Sequence, residues 1–159
     1  MLKLSELVLE GAIVPQLGAT DRDGVVRELV SALAKAGAFA ASLEPEILAR
    51  TMERERKATT GFGRGVAVPH VKHLGITKMA AAIGLTQRGL DFSSLDKQPV
   101  YFVFLLASPE DRPEDHLRAM EVIFKNLNKE SFRRHLRQCT TVEEVREMLQ
   151  DSDAQHLIV

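Results

Sequence analysis

An internal disulfide and a cysteine-built zinc site are both excluded, because Cys139 is the only cysteine in the chain. A lone thiol fits a reducing compartment, and Cys139 itself reads as a small buried residue. An excess of one charge is also missing. With 21 basic and 22 acidic side chains the net charge is −1, so no electrostatic footprint marks nucleic acid or an anionic membrane as partner. Long hydrophobic runs are absent too: the longest, Val100 to Ala107, is far too short to cross a bilayer. The start, Met1-Leu2-Lys3-Leu4-Ser5-Glu6, lacks the apolar segment of a signal peptide. These absences predict a cytoplasmic protein. Without repeats, linkers or low-complexity stretches, 159 residues that are 45% apolar predict one domain around one core.

Helix and strand signals alternate along the chain. Leu7-Val8-Leu9 and Ala12-Ile13-Val14, closed by Pro15, predict an early strand or two near a sheet edge. Asp21 or Asp23 caps a helix whose stripe is Val25, Val26, Leu29, Val30 and Leu33, and which closes at Ala36-Gly37. A second helix starts near Ser42, tolerates Pro45 in its first turn and puts Arg50 and Arg54 on one face. Met79 to Thr86 reads as a strand, and Val100 to Ala107 as a central strand apolar on both faces. A helix with Pro113 in its first turn follows, with Leu117, Met120, Ile123, Phe124 and Leu127 on one face and His116 near its start. Phe132 and Leu136 mark a further turn or two, and Thr141 with Glu144 forms a capping box. The expected fold is a three-layer α/β/α sandwich with a mixed, mostly parallel sheet of about five strands.

The chemistry concentrates in Thr59-Thr60-Gly61-Phe62-Gly63-Arg64-Gly65-Val66-Ala67-Val68-Pro69-His70, where three alternating glycines run into a short apolar strand ending at a histidine. Glycines at this density bring N–H groups close to an oxyanion. A helix precedes them and a strand follows, the reverse of the nucleotide-binding fingerprints. The stretch therefore reads as an anion cradle beside an imidazole. A lone histidine at a strand end is more often a core residue; the loop before it tips the reading towards function. Arg64 between two glycines reads as a soluble loop residue.

This ordered set, Arg54-Glu55, Thr59-Thr60-Gly61, Gly63, Gly65 and Val66-Ala67-Val68-Pro69-His70, resembles the active-site signature of type-2 enzyme IIA domains of the sugar phosphotransferase system, the fructose/mannitol/nitrogen-regulatory branch. Asp91-Phe92, Gln98-Pro99-Val100 and Asp115-His116-Leu117 extend the likeness over nearly the whole chain. The resemblance implies one domain over residues 1–150; Asp151 to Val159, polar at the start and apolar at the end, reads as a tail. The resemblance implies His70 as the phosphoryl acceptor through Nε2, with Arg54 and His116 as its catalytic companions; on chemical grounds the Thr60 hydroxyl and the loop N–H groups at Gly61 and Gly63 are suitable phosphate contacts. Thr59 stands where many relatives carry serine and keeps the hydroxyl. No cofactor or metal is expected. The implied partners are an HPr-like phosphocarrier as donor, and an enzyme IIB or a regulatory target protein as acceptor.

Two other readings stand beside the carrier. A regulatory module would use the same His70 phosphorylation to switch contacts with a target protein. His70-x-x-His73 with His116 would make a three-histidine metal site and a hydrolase. A three-residue spacing suits one helix face, however, and here a proline and a strand precede it; His73 is expected in a solvent-exposed turn.

Overall fold

A computed structural model describes the backbone of residues 2–158 and the side chains of residues 2–154. Its elements are α1 (Leu4–Leu7), β1 (Val8–Val14), α2 (Arg22–Lys35), a 3-10 turn (Ala41–Leu43), α3 (Glu44–Lys57), β2 (Gly61–Gly63), β3 (Val66–Ala67), β4 (His70–His73), β5 (Ala80–Leu90), β6 (Val100–Pro109), α4 (Pro113–Leu127), α5 (Glu130–Gln138) and α6 (Val142–Ile158).

The sheet is mixed. Its order is β1-β5-β6-β3-β2, with β4 also paired to β6. β1 runs parallel to β5, and β3 and β4 run parallel to β6, whereas β5–β6 and β2–β3 are antiparallel. The sixth strand arises at Pro69, which has no N–H to donate; its carbonyl still accepts from Leu106 N at 3.0 Å. Val66 to His73 is thus split in two, and His70 opens β4 instead of closing the strand before it.

β6 is covered on both faces, as its unbroken apolar run predicts. Phe102, Phe104 and Leu106 face the layer of α1, α4, α5 and α6, packing with Leu4, Ile123, Phe132, Leu136 and Leu149. Val103, Leu105 and Ala107 face α2 and α3, packing with Val26, Leu29, Leu33 and Ile47. The period-2 alternation of a strand puts one residue set on each side. That makes three layers.

Local signals explain the helix ends. Asp21 Oδ1 accepts from Gly24 N at 2.7 Å at the start of α2. Gly37, at φ +86°, ends it, and Ala38 N returns to Leu33 O. At the start of α6, Thr141 Oγ1 accepts from Glu144 N at 3.1 Å, while the Glu144 carboxylate reaches the Thr140 hydroxyl at 3.0 Å.

The stretch read as a tail from Asp151 continues α6 to Ile158; Val159 lies outside the described residues. Asp153, nearly buried, accepts from Leu4 N at 2.9 Å and Ser5 N at 3.0 Å. A carboxylate there meets the N–H groups that a helix start leaves unpaired, and so ties the last helix to the first.

Candidate active site

His70 sits at the first position of β4, opposite Leu106 of β6. Its Nδ1 lies 3.0 Å from the Val68 carbonyl oxygen. A carbonyl only accepts, so Nδ1 carries the proton and Nε2 keeps its lone pair. Burial pushes the imidazole below its ordinary pKa, the Arg54 charge adds to this, and the Val68 carbonyl opposes it. His70 is therefore neutral near neutral pH.

Beside it opens a groove of about 390 Å³ lined by Arg50, Glu53, Arg54, Lys57, Val71 and Lys72. α3 supplies Arg50, Arg54 and Lys57 from successive turns. Arg54 Nη1 donates to Ala58 O at 2.8 Å, closing its own helix and leaving the rest of the guanidinium towards the groove. Arg50 Nη1 donates to Lys72 O at 3.1 Å, tying α3 to the strand that carries His70. Arg50, Lys57 and Lys72 were not expected here; the i, i+4 pairing of Arg50 with Arg54 was the available signal.

From the other side α4 brings His116, whose ring centroid is 5.4 Å from that of His70 at an interplanar angle of 56°. His116 is buried, and its Nδ1 is 2.7 Å from Ser108 Oγ. Burial first, then the neighbouring charges of His70 and Lys72, lower its pKa to about 4. His70, His116 and Arg54, expected together, are together.

The glycine loop is arranged otherwise than expected. Gly63-Arg64-Gly65-Val66 is a two-residue hairpin between β2 and β3, with Arg64 at φ +59° and Gly65 at φ +82°. Positive φ at both central residues is what such a turn demands. Val66 pairs with Phe102 while His70 pairs with Leu106. Four residues of strand place Gly63 roughly 13 Å from His70 along the sheet. Gly63 borders Asp96, whose carboxylate takes Arg64 N at 3.0 Å. Gly61 N donates to Thr59 Oγ1 at 3.0 Å.

Thr60 is corrected as well. It is fully buried, its N–H donates to Glu55 Oε2 at 2.8 Å and its hydroxyl to Glu55 Oε1 at 2.5 Å. Its donors brace the junction of α3 and β2, with none directed at an anion. The glycines shape the hairpin and Thr60 locks the buried Glu55 carboxylate.

His73 is not in solvent. It ends β4, is buried, accepts from Gly75 N at Nδ1 (2.8 Å) and pairs through Nε2 with Glu46 of α3 at 3.1 Å. Residues three apart on a strand face opposite sides of the sheet. His70 faces α4 and His73 faces α3, so the three histidines do not converge on one ion.

A family model described as "Phosphoenolpyruvate-dependent sugar phosphotransferase system, EIIA 2" matches residues 6–152. The chain is 34% identical over 136 residues to a nitrogen regulatory protein of Bradyrhizobium diazoefficiens, covering 86% of this chain and 87% of that one. It is 28% identical over 152 residues to the fructose-specific EIIABC component of Bacillus subtilis, covering 96% of this chain but spanning only 24% of that protein's length. The nitrogen regulatory protein IIA-Ntr of Neisseria meningitidis superposes with a TM-score of 0.82 at 25% identity, covering 92% of this chain and 98% of that chain. Escherichia coli mannitol enzyme IIA, in a complex with phosphorylated enzyme IIB, shares the fold at a TM-score of 0.74 and 21% identity, covering 95% of this chain and 98% of that chain.

Proposed function

This chain belongs to the EIIA type-2 family of the phosphoenolpyruvate-dependent sugar phosphotransferase system, and from that premise we propose that it is a phosphohistidine carrier with His70 as acceptor. One observation carries the reading: the Val68 carbonyl holds the His70 proton on Nδ1, which leaves a neutral Nε2 as nucleophile in a groove rimmed by cations.

The Nε2 lone pair attacks the phosphorus presented by a phosphorylated HPr-like donor. As the N–P bond forms, the bond from phosphorus to the donor's leaving atom breaks, and its electron pair departs with the donor. No general base is needed, because Nδ1 keeps its proton throughout. The ring then becomes a phosphoimidazolium, whose positive charge the Val68 carbonyl dipole stabilises. Arg54 balances charge on the transferring oxygens, which is the main demand of phosphoryl transfer. Onward transfer to an enzyme IIB reverses these steps.

A second reading is favoured by the likeness to nitrogen regulatory proteins over most of both chains. In it the same phosphorylation changes the charge of the groove and so controls binding to a target protein. Both readings need His70.

The test is incubation with a labelled HPr-like donor. Wild type should take up one acid-labile, alkali-stable phosphate, and His70→Ala should take up none; label persisting on the variant would overturn the assignment.

A further inference from the structure

The geometry points to Ser108 as a positioning residue that fixes which nitrogen of His116 carries the ring proton, and thereby makes His116 a hydrogen-bond donor to the phosphoryl group on His70. This inference rests on the carrier reading of His70.

Ser108 interrupts the apolar run of β6 and is fully buried. Two residues after Leu106, it faces α4, as His70 does from the neighbouring strand. Its hydroxyl is 2.7 Å from His116 Nδ1, and among the described residues it has no other hydrogen-bond partner. A hydroxyl both donates and accepts, whereas each nitrogen of a neutral imidazole does only one. If Nδ1 were the donor, the hydroxyl hydrogen of fully buried Ser108 would be left without an acceptor; with Oγ–H donating to Nδ1, both groups of the buried contact are matched, and the one polar hydrogen still to be placed is on the ring's other nitrogen. The proton of a neutral His116 then sits on Nε2. Burial keeps the ring neutral near pH 7, so only one ring nitrogen can donate.

The consequence falls on His70, whose ring is 5.4 Å away. Phosphoryl oxygens accept hydrogen bonds and never donate them when ionised. An Nε2–H on His116 would bind them, whereas an Nε2 lone pair would repel them. Ser108 thus decides whether the buried second histidine helps or opposes phosphorylation without touching the phosphate itself.

Protein labelled with 15N in its histidines should be examined first without phosphate. A two-bond nitrogen–proton correlation spectrum should show His116 protonated at Nε2 in wild type. Ser108→Ala, which removes one oxygen from the interior, should strip the Nδ1 lone pair of its hydrogen-bond donor and shift the Nδ1 nitrogen resonance downfield, and Ser108→Thr should restore it. A wild-type His116 protonated at Nδ1, or an Nδ1 resonance unchanged in Ser108→Ala, would overturn the inference. In the transfer assay Ser108→Ala should still be labelled on His70, but take up or pass on the label on the order of tenfold more slowly; unchanged rates would also overturn it. If wild type accepts no label, the carrier reading fails instead, a result distinct from any change in the tautomer.

Discussion

The Nδ1 of His70 lies 3.0 Å from the Val68 carbonyl, two residues back in its own chain and across the Pro69 break between strands. The reactive imidazole is thereby oriented by backbone. This contact would survive any side-chain change around the groove.

A pH profile follows from the buried position of His70. Only the neutral ring is a nucleophile, and burial, aided by Arg54, lowers its pKa below the ordinary imidazole value. The rate of label uptake should fall as pH is lowered, with its inflection below about 6.5. An inflection above the ordinary value, measured with donor in excess and corrected for the donor's own titration, would contradict this.

Arg54→Ala should slow phosphorylation by roughly 10²–10³-fold, the usual cost of about 2.7–4 kcal/mol for one lost transition-state donor. Its structural part is one hydrogen bond to Ala58 O, about 1 kcal/mol. Rate measurement beside urea denaturation separates the two. A wild-type rate would reduce Arg54 to a helix cap.

Thr60→Val should act on stability first. It removes a hydroxyl that donates to the buried Glu55 carboxylate, leaving an acceptor short of a partner, at a cost of about 1–3 kcal/mol. The midpoint of chemical denaturation should fall accordingly. Loss of phosphorylation with unchanged stability would instead return Thr60 to the phosphate.

Acid should destabilise the fold through His116. An unfolded imidazole takes up its proton from about pH 6.5 downward, while folded His116 waits until about 4. Between those values the unfolded state binds more protons, so the stability present above 6.5 is lost as pH falls towards 4. His116→Gln should flatten the dependence of denaturation midpoint on pH over this window. An equally steep dependence in the variant would assign the effect to other groups.

Much of this was legible in the chain, for physical reasons. The apolar run of β6 and the stripes of α2 and α4 are long, periodic signals that tertiary context did not override. The ordered signature brought His70, Arg54 and His116 together. The glycines misled because Gly-x-Gly chemistry serves a hairpin as well as an anion cradle. Only the pairing of Val66 with Phe102 shows how far the turn lies from His70. His73 misled because the strand resumes after Pro69, which turns a three-residue spacing into opposite faces. The length of α6 was hidden by Asp151-Ser152-Asp153, which resembles a helix stop. Asp153 is instead a cap for α1, 149 residues away in sequence. Ser108 and His116 are eight residues apart; the prolines mark the strand-to-helix corner between them, but no local pattern pairs the two side chains.

The central claim is that phosphate enters at Nε2 of His70, and direct observation of the N–P bond tests it. Protein labelled with 15N in its histidines and phosphorylated by an HPr-like donor should show phosphorus–nitrogen coupling at Nε2 of His70, with Nδ1 still protonated. Coupling at Nδ1 of His70, or on His116 or His73, would contradict the account.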